Sequence, residues 1–146
     1  MFETSFRIRS TQVDTFGHLN NAAYLEVYEW ARWEWSESEG LDPSDLIDER
    51  HIGPAIVHID LSFFKEILIN EKILVRTWFH EMDKVKAVIA QEMLKPDGTL
   101  ASRVFISFVM FHLQKRKVVG IPDEMRQMFA ADEEYRNQRT DLQGPA

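Results

Sequence analysis

The sequence predicts an α+β domain in which an antiparallel five-stranded sheet is wrapped around one long central helix. Three observations carry this expectation: a short alternating segment opens the chain, a long apolar stretch of helical spacing follows, and from Pro54 onward the periodic segments read as strands. With 146 residues and 45% hydrophobic content, the chain has the size of one domain and can bury roughly two thirds of its unfolded surface. We place a single domain at residues 1–130 and a polar C-terminal tail at 131–146.

The elements follow in order. From Phe2 to Arg9, Phe2, Thr4, Phe6 and Ile8 alternate with polar neighbours, the period of a half-buried strand. A helix is expected from about Asn21 to Glu39, with Asn20 or Asn21 as its N-terminal cap and Gly40 as the left-handed residue that ends it. Tyr24, Val27, Tyr28, Ala31 and Trp35 fall at helical spacing, while Leu25, Trp30 and Trp33 extend the apolar surface beyond one stripe. Such a helix is expected to be wrapped by its surroundings. Four strands follow in AIVHIDLSFF, KILVRTWFHEM, KVKAVIAQEML and LASRVFISFVMFHL. The Pro96-Asp97-Gly98 turn and the short charged break at Met82-Asp83-Lys84 join the last three into an antiparallel meander. The final strand is apolar on both faces, with Val104, Ile106, Phe108 and Met110 on one and Phe105, Val109 and Phe111 on the other. It is therefore expected to be central and covered twice, a neighbouring subunit being one candidate for the second cover. The end of the chain, AADEEYRNQRTDLQGPA, reads as a segment that frays or adds a loose surface helix.

Composition removes several classes of function. With no cysteine, disulfides, thiolate metal sites and a Cys nucleophile are excluded. The net charge is -7 and the basic residues are scattered among acidic ones, so nucleic acid is a poor partner. The opening MFETSFRIRS is too polar for a secretory signal, and no run of ~18 apolar residues is present to span a bilayer. A soluble cytoplasmic protein with no membrane partner is expected.

The densest set of polar groups beside an apolar run is Val13-Asp14-Thr15-Phe16-Gly17-His18-Leu19-Asn20-Asn21-Ala22-Ala23-Tyr24, in the connection from the first strand to the helix. A helix N-terminus presents unpaired N–H groups and a positive dipole end, and a carboxylate a few residues upstream can reach the same point. Acyl transfer needs both: a group that attacks or activates water, and donors for a developing oxyanion. Gly17 permits an unusual turn or a close approach of backbone to ligand.

The run DTFGHLNNAAYLEVYEWAR resembles the signature of the 4-hydroxybenzoyl-CoA thioesterase-like branch of the hotdog-fold acyl-CoA thioesterases, including the Glu29 and Arg32 that continue the helix. The strand order and Ile121-Pro122 after the last strand extend the likeness to most of the chain, which looks closest to thioesterases acting on fatty acyl-CoA. The resemblance implies a hotdog fold and hydrolysis of acyl-CoA to free acid and coenzyme A. It implies Asp14 as the catalytic carboxylate, base or nucleophile, and the backbone N–H of Asn21 as the donor that polarises the thioester. His18 matches a motif position that shapes the site and is expected with Asp14 and Asn21 among the catalytic positions, though not as the base, while Gly17, Asn20 and Tyr24 are the expected substrate-binding positions. Phe64-Lys65-Glu66-Ile67-Leu68-Ile69-Asn70-Glu71 departs from the relatives, which carry Pro and Gly-Asp there. No metal and no cofactor is expected, coenzyme A being part of the substrate, and a homodimer or homotetramer is expected because a lone curled sheet leaves an edge open.

Plainer roles stand beside these. Asp14 suits a turn, Asn20 and Asn21 suit a cap whatever else they do, and Tyr24 suits the core. The four tryptophans suit core and subunit contact. His58, Asp60 and Ser62 hold the residue types of a triad, yet alternate strand residues stand almost 7 Å apart and cannot be chained by hydrogen bonds of ~3 Å. His58 and Asp60 also lack any metal-ligand spacing. Arg103, Lys115, Arg116 and Lys117 are candidates for the coenzyme A phosphates. Two alternatives to hydrolysis are carried forward: an acyl-thioester dehydratase of the same fold, and a non-catalytic acyl-CoA binding module.

Overall fold

The computed structural model of the chain describes residues 1–142 and Gly144; the remaining positions of the expected tail, 143, 145 and 146, lie outside the described residues. The apolar stretch after the polar turn folds as helix α1 (Asn21–Ser38). Asn20 is extended and caps it, its side-chain oxygen accepting the Ala22 N–H at 2.9 Å, which satisfies one of the donors a helix start leaves unpaired. Ala23, Tyr24, Val27, Tyr28, Ala31 and Trp35 are buried. Trp30 and Trp33 stay 42% and 52% exposed, so a single chain wraps only one side of a helix whose composition asks for more.

Six strands form one sheet: β1 (Phe2–Arg7), β2 (Ile52–Phe63), β3 (Lys72–Met82), β4 (Lys86–Leu94), β5 (Leu100–His112) and β6 (Lys117–Val119). Their order is β1-β3-β4-β5-β2 with every pairing antiparallel, and β3, β4 and β5 make the expected meander. β6 is a three-residue addition that pairs with Met110 to His112, beyond the end of β4. It is too short for alternation to register in the sequence. Val104, Ile106, Phe108 and Met110 of β5 join the main core with α1, Ile8, Ile73, Val75 and Met93. Each fully buried apolar side chain of this kind contributes about 1.5–3 kcal/mol.

The opposite face of the sheet carries a smaller cluster of Trp78, Val88, Ala90 and Phe105. Its cover is the chain's own tail. Helix α4 (Glu133–Gln138) sets Tyr135 edge-on against Trp78 with ring centres 5.1 Å apart. Asp132 accepts the Phe79 N–H at 2.9 Å, and the buried Glu92 carboxylate accepts from Arg103 at 2.7 Å and from Arg139 at 2.6 Å. The expectation of a fraying or loose segment differs from this because polarity was counted as solvation. Here the polar groups find partners on the sheet.

Two further helices carry no strong sequence period. Helix α2 (Pro43–Arg50) starts at Asp42, whose side chain accepts the Ser44 N–H at 2.8 Å, with Pro43 at a first-turn position where its missing N–H is harmless. Helix α3 (Asp123–Ala131) follows Pro122 and buries Met125 and Met128. Helix α2 packs on β2 and helix α3 on β3. Among the described residues no helix is long and apolar enough to cross a membrane.

Candidate active site

The chain reverses tightly between β1 and α1. The Asp14 N–H donates to His18 O at 2.9 Å, the Gly17 N–H donates to Asp14 O at 3.0 Å, and Val13 bridges to Leu19. Gly17 sits at φ 76°, a conformation that strains any L side chain. A Cβ there would meet nothing within 4 Å, so the backbone turn explains this glycine. Within the reversal one oxygen of Asp14, Oδ1, accepts the N–H groups of Phe16 at 2.9 Å and His18 at 3.2 Å. The turn role foreseen for Asp14 is therefore real. It occupies one oxygen: among the described residues Oδ2 has no donor.

The segment 64–71 is laced to this reversal. Leu19 N–H donates to Ile67 O at 2.7 Å, Ile69 N–H to Gly17 O at 3.0 Å and Asn70 N–H to Ile8 O at 2.9 Å. Lys95 pins the segment from below, donating to Glu66 O at 2.6 Å and to the Glu71 carboxylate at 2.9 Å. In place of a Gly-Asp turn, Asn70 takes φ 69° and Glu71 accepts the Leu68 N–H at 2.9 Å. Asn tolerates the left-handed conformation better than most residues, which explains how the altered loop still closes.

Between reversal, segment and helix start lies an open cavity of about 340 Å³ lined by Asp14, His18, Asn21, Tyr24, Phe63 and Lys65, among others. The backbone N–H of Asn21, first residue of α1, has no protein acceptor among the described residues. Asp14 and Asn21, the first residue of the helix, thus both border one volume. His18 Nε2 stands 3.2 Å from Glu66 Oε2. Tyr24 is buried, packs edge-on against Phe63 at 4.8 Å, and burial pushes its phenol above the ordinary value although Ile67 hydrogen-bonds it. Asn20 caps the helix without lining the cavity, and Gly17 shapes the reversal without lining it.

Phe63, Phe64, Lys65 and Glu66 also line this cavity, and none was a predicted site residue. The signal was the departure from the usual loop pattern at 64–71, which marks where the loop differs and not which side chains turn inward. Arg103 is committed to Glu92 and lies 5.7 Å over the Phe64 ring. Lys115, Arg116 and Lys117 sit near the end of β5 where His112 pairs with Ile52, the end away from Phe63. His58, Asp60 and Ser62 line neither this cavity nor the one described next. Among the described residues no three His, Asp or Glu side chains gather as a metal-ligand set.

A second, mostly apolar cavity of about 270 Å³ lies under the other half of α1, walled by Trp35, Leu46, Phe79, Ile106, Phe108 and Met128, among others. It shares no lining residue with the first. Along α1 the centres of the two are separated by roughly 15–20 Å at 1.5 Å per residue. β2 touches both, through Phe63 at one end and Pro54 and Ile56 at the other.

Residues 8–129 match the family described as the thioesterase-like superfamily. The long-chain acyl-CoA thioesterase FadM of Escherichia coli (strain K12) is 24% identical over 126 residues, covering 86% of this chain and 94% of that protein. Among solved structures, Slr0204, a 1,4-dihydroxy-2-naphthoyl-CoA thioesterase from Synechocystis, superimposes with a TM-score of 0.82 at 18% identity, covering 88% of this chain and 95% of that one. SAV2348 from Staphylococcus aureus, solved in complex with CoA, gives a TM-score of 0.83 at 17% identity over 99% of this chain and 89% of that one. These two share the fold.

Proposed function

Because the chain belongs to the thioesterase-like superfamily, we propose that it hydrolyses acyl-CoA thioesters to a free carboxylic acid and coenzyme A, with Asp14 as the catalytic carboxylate. The observation that carries this reading is that Asp14 and Asn21 line one cavity, the Asn21 N–H having no protein acceptor among the described residues. FadM, a long-chain acyl-CoA thioesterase, matches over most of both chains and supports the same substrate class.

In this mechanism the thioester carbonyl oxygen points at the Asn21 N–H, where the positive end of α1 stabilises charge that grows on it. The free oxygen of Asp14 takes a proton from water as the water oxygen adds to the carbonyl carbon. The tetrahedral adduct then collapses, the C–S bond breaks, and the thiolate of coenzyme A leaves and regains the proton from the Asp14 carboxyl. In the nucleophilic variant Asp14 attacks first, the C–S bond breaks to release the thiolate, and water cleaves the resulting anhydride; attack of that water at the Asp14 carboxyl carbon leaves solvent oxygen in the side chain, so label found there by mass spectrometry after turnover in labelled water identifies this variant. The Phe16 and His18 N–H groups fix the other oxygen. Lys65 at the cavity is placed to meet a phosphate of coenzyme A. No metal or redox group is required.

The acyl chain needs an apolar slot, which the Asp14 cavity lacks and the second cavity offers. The free edge of β2 exposes Ile56, Val57, Ile59 and Phe63, an edge that invites a second copy. Antiparallel pairing of two such edges sets the Phe63 end of one against the Pro54 end of the other, joining the Asp14 cavity of one chain to the apolar cavity of its neighbour. We propose a homodimer, or a homotetramer of two such dimers, as the working enzyme, and a cytoplasmic location. The test is free-thiol release from a panel of acyl-CoAs of different chain length. Release supports hydrolysis, an enoyl product without thiol would instead make it a dehydratase, and binding without turnover would make it a carrier module.

A further inference from the structure

The apolar cavity is not uniformly apolar. Leu46, Phe79, Ile106 and Phe108 in its wall are buried, whereas Glu29 and Trp33 are exposed, so it opens beside α1 and closes against the sheet. At this neck stands Arg32, half-buried, one helical turn from Glu29 and Ser36. Its guanidinium donates to Gln91 Oε1 at 2.8 Å, and Gln91, fully buried, is itself fixed by donating to Tyr28 O and Thr77 Oγ1, both at 3.0 Å. Among the described residues the guanidinium has no other hydrogen-bond acceptor and no carboxylate within ion-pair distance. It brings five donors, and only one partner is in place. Burial holds its pKa below the usual guanidinium value, against the pull of Glu29.

A plain alkyl chain entering this neck strips water from those N–H groups and replaces it with nothing, which disfavours it. A chain with an oxygen at the same depth supplies the missing acceptor. The sign of the charge decides what kind of oxygen. Glu29 lines the same neck and opposes a carboxylate, so a neutral carbonyl or hydroxyl is the group that satisfies Arg32 without repulsion. The cavity as a whole, neck included, measures about 270 Å³, against about 30 Å³ for one water-sized group. That leaves room for an apolar tail past the neck.

We propose that Arg32 is a specificity-determining residue and that the cavity selects acyl chains carrying a neutral oxygen, hydroxyl or oxo, at the neck over unsubstituted chains of equal length. This rests on the thioesterase reading for its biological sense, and its test is built to fail separately. Trp33 and Trp35 line the cavity, so their fluorescence reports occupancy without turnover. Wild-type protein is titrated with a neutral medium-chain alcohol and ketone, and with the acid of equal length. In parallel, thiol release is compared for hydroxy- or oxo-acyl-CoA and plain acyl-CoA, in wild type, Arg32→Met, Arg32→Lys and Glu29→Gln. A preference of about tenfold in kcat/KM for the oxygenated chain is expected in the wild type. Arg32→Met is expected to abolish it, Arg32→Lys to retain part of it, and Glu29→Gln to improve binding of the acid relative to the alcohol. If Arg32→Met does not fold, the Glu29→Gln shift and the wild-type preference decide the matter. Thiol release that does not distinguish the chains, or fluorescence that is blind to alcohol and ketone, overturns the proposal and leaves hydrolysis standing. Occupancy by the neutral probes with no thiol release from any acyl-CoA supports the cavity assignment and removes the hydrolase reading.

Discussion

Substituting Asp14 by Asn and, separately, by Ala distinguishes its two roles. Oδ1 accepts the N–H groups of Phe16 and His18 while Oδ2 has no donor among the described residues. Asn keeps an acceptor oxygen for the turn and removes only the negative charge and basicity. Ala removes both. At about 0.5–1.5 kcal/mol per hydrogen bond, the Ala variant loses about 1–2 kcal/mol of stability at this exposed site, a Tm drop of roughly 2–8 °C, and the Asn variant stays within about 0.5 kcal/mol of wild type. Turnover behaves differently. Both variants lose the carboxylate that activates water or attacks, and both fall at least ~100-fold in thiol release at saturating acyl-CoA. The assays are thermal melting and thiol release on the same preparations. An Asn variant as active as wild type refutes the catalytic role and leaves Asp14 as a turn residue alone.

Three other perturbations test the surrounding account. Placing lysines on the free strand edge, Val57→Lys with Ile59→Lys, is expected to yield monomers by sedimentation and to cut thiol release at least ~10-fold, since each Asp14 cavity then lacks the neighbour's apolar slot; monomers with full activity contradict a shared site. Met128→Trp enlarges a side chain in the wall of the 270 Å³ cavity, and kcat/KM profiles are expected to move to acyl chains shorter by roughly two carbons at about 30 Å³ per group; an unchanged profile removes that cavity from the substrate path. For Glu92, burial opposes ionisation, but the Arg139 and Arg103 guanidiniums prevail and hold the carboxyl below its ordinary range. A depressed folded value makes this contribution complete above the unfolded value of ~4.3 and lost as pH falls through the folded one. Arg139→Met is therefore expected to lower stability by about 1–3 kcal/mol at neutral pH, with the difference from wild type shrinking in melts run towards pH 3; a difference independent of pH contradicts the pairing.

Much of the domain was legible because its period is strong. The α1 stripe from Tyr24 to Trp35, the alternation of β1 and the apolar runs of β3, β4 and β5 match the elements found. The helix start was legible for a chemical reason: Asn20 is a cap by its side chain alone, and the cap locates the free N–H of Asn21. Helices α2 and α3 escaped because eight or nine residues give barely two turns of pattern. Docking of the tail escaped because Asp132 and Arg139 look solvated until Phe79 N–H and Glu92 are known to face them. Within the site, the sequence placed Asp14 and Asn21 near each other through a short local connection. Lys65 and Glu66 reach the same cavity through long-range hydrogen bonds such as Leu19 N–H to Ile67 O, which no local pattern announces. The apolar cavity is harder still, since Trp35, Ile106 and Met128 meet there from three separate elements.

The most direct measurement is a crystal structure with an acyl-CoA analogue in which a methylene replaces the thioester sulfur, so that the carbonyl remains and cannot be hydrolysed. The account predicts its oxygen at ~3 Å from the Asn21 N–H and the free Asp14 oxygen within ~3.5 Å of the carbonyl carbon or of a water touching it, with the tail in the apolar cavity of the adjoining chain. A carbonyl bound away from the α1 tip, with Asp14 facing solvent, would contradict it.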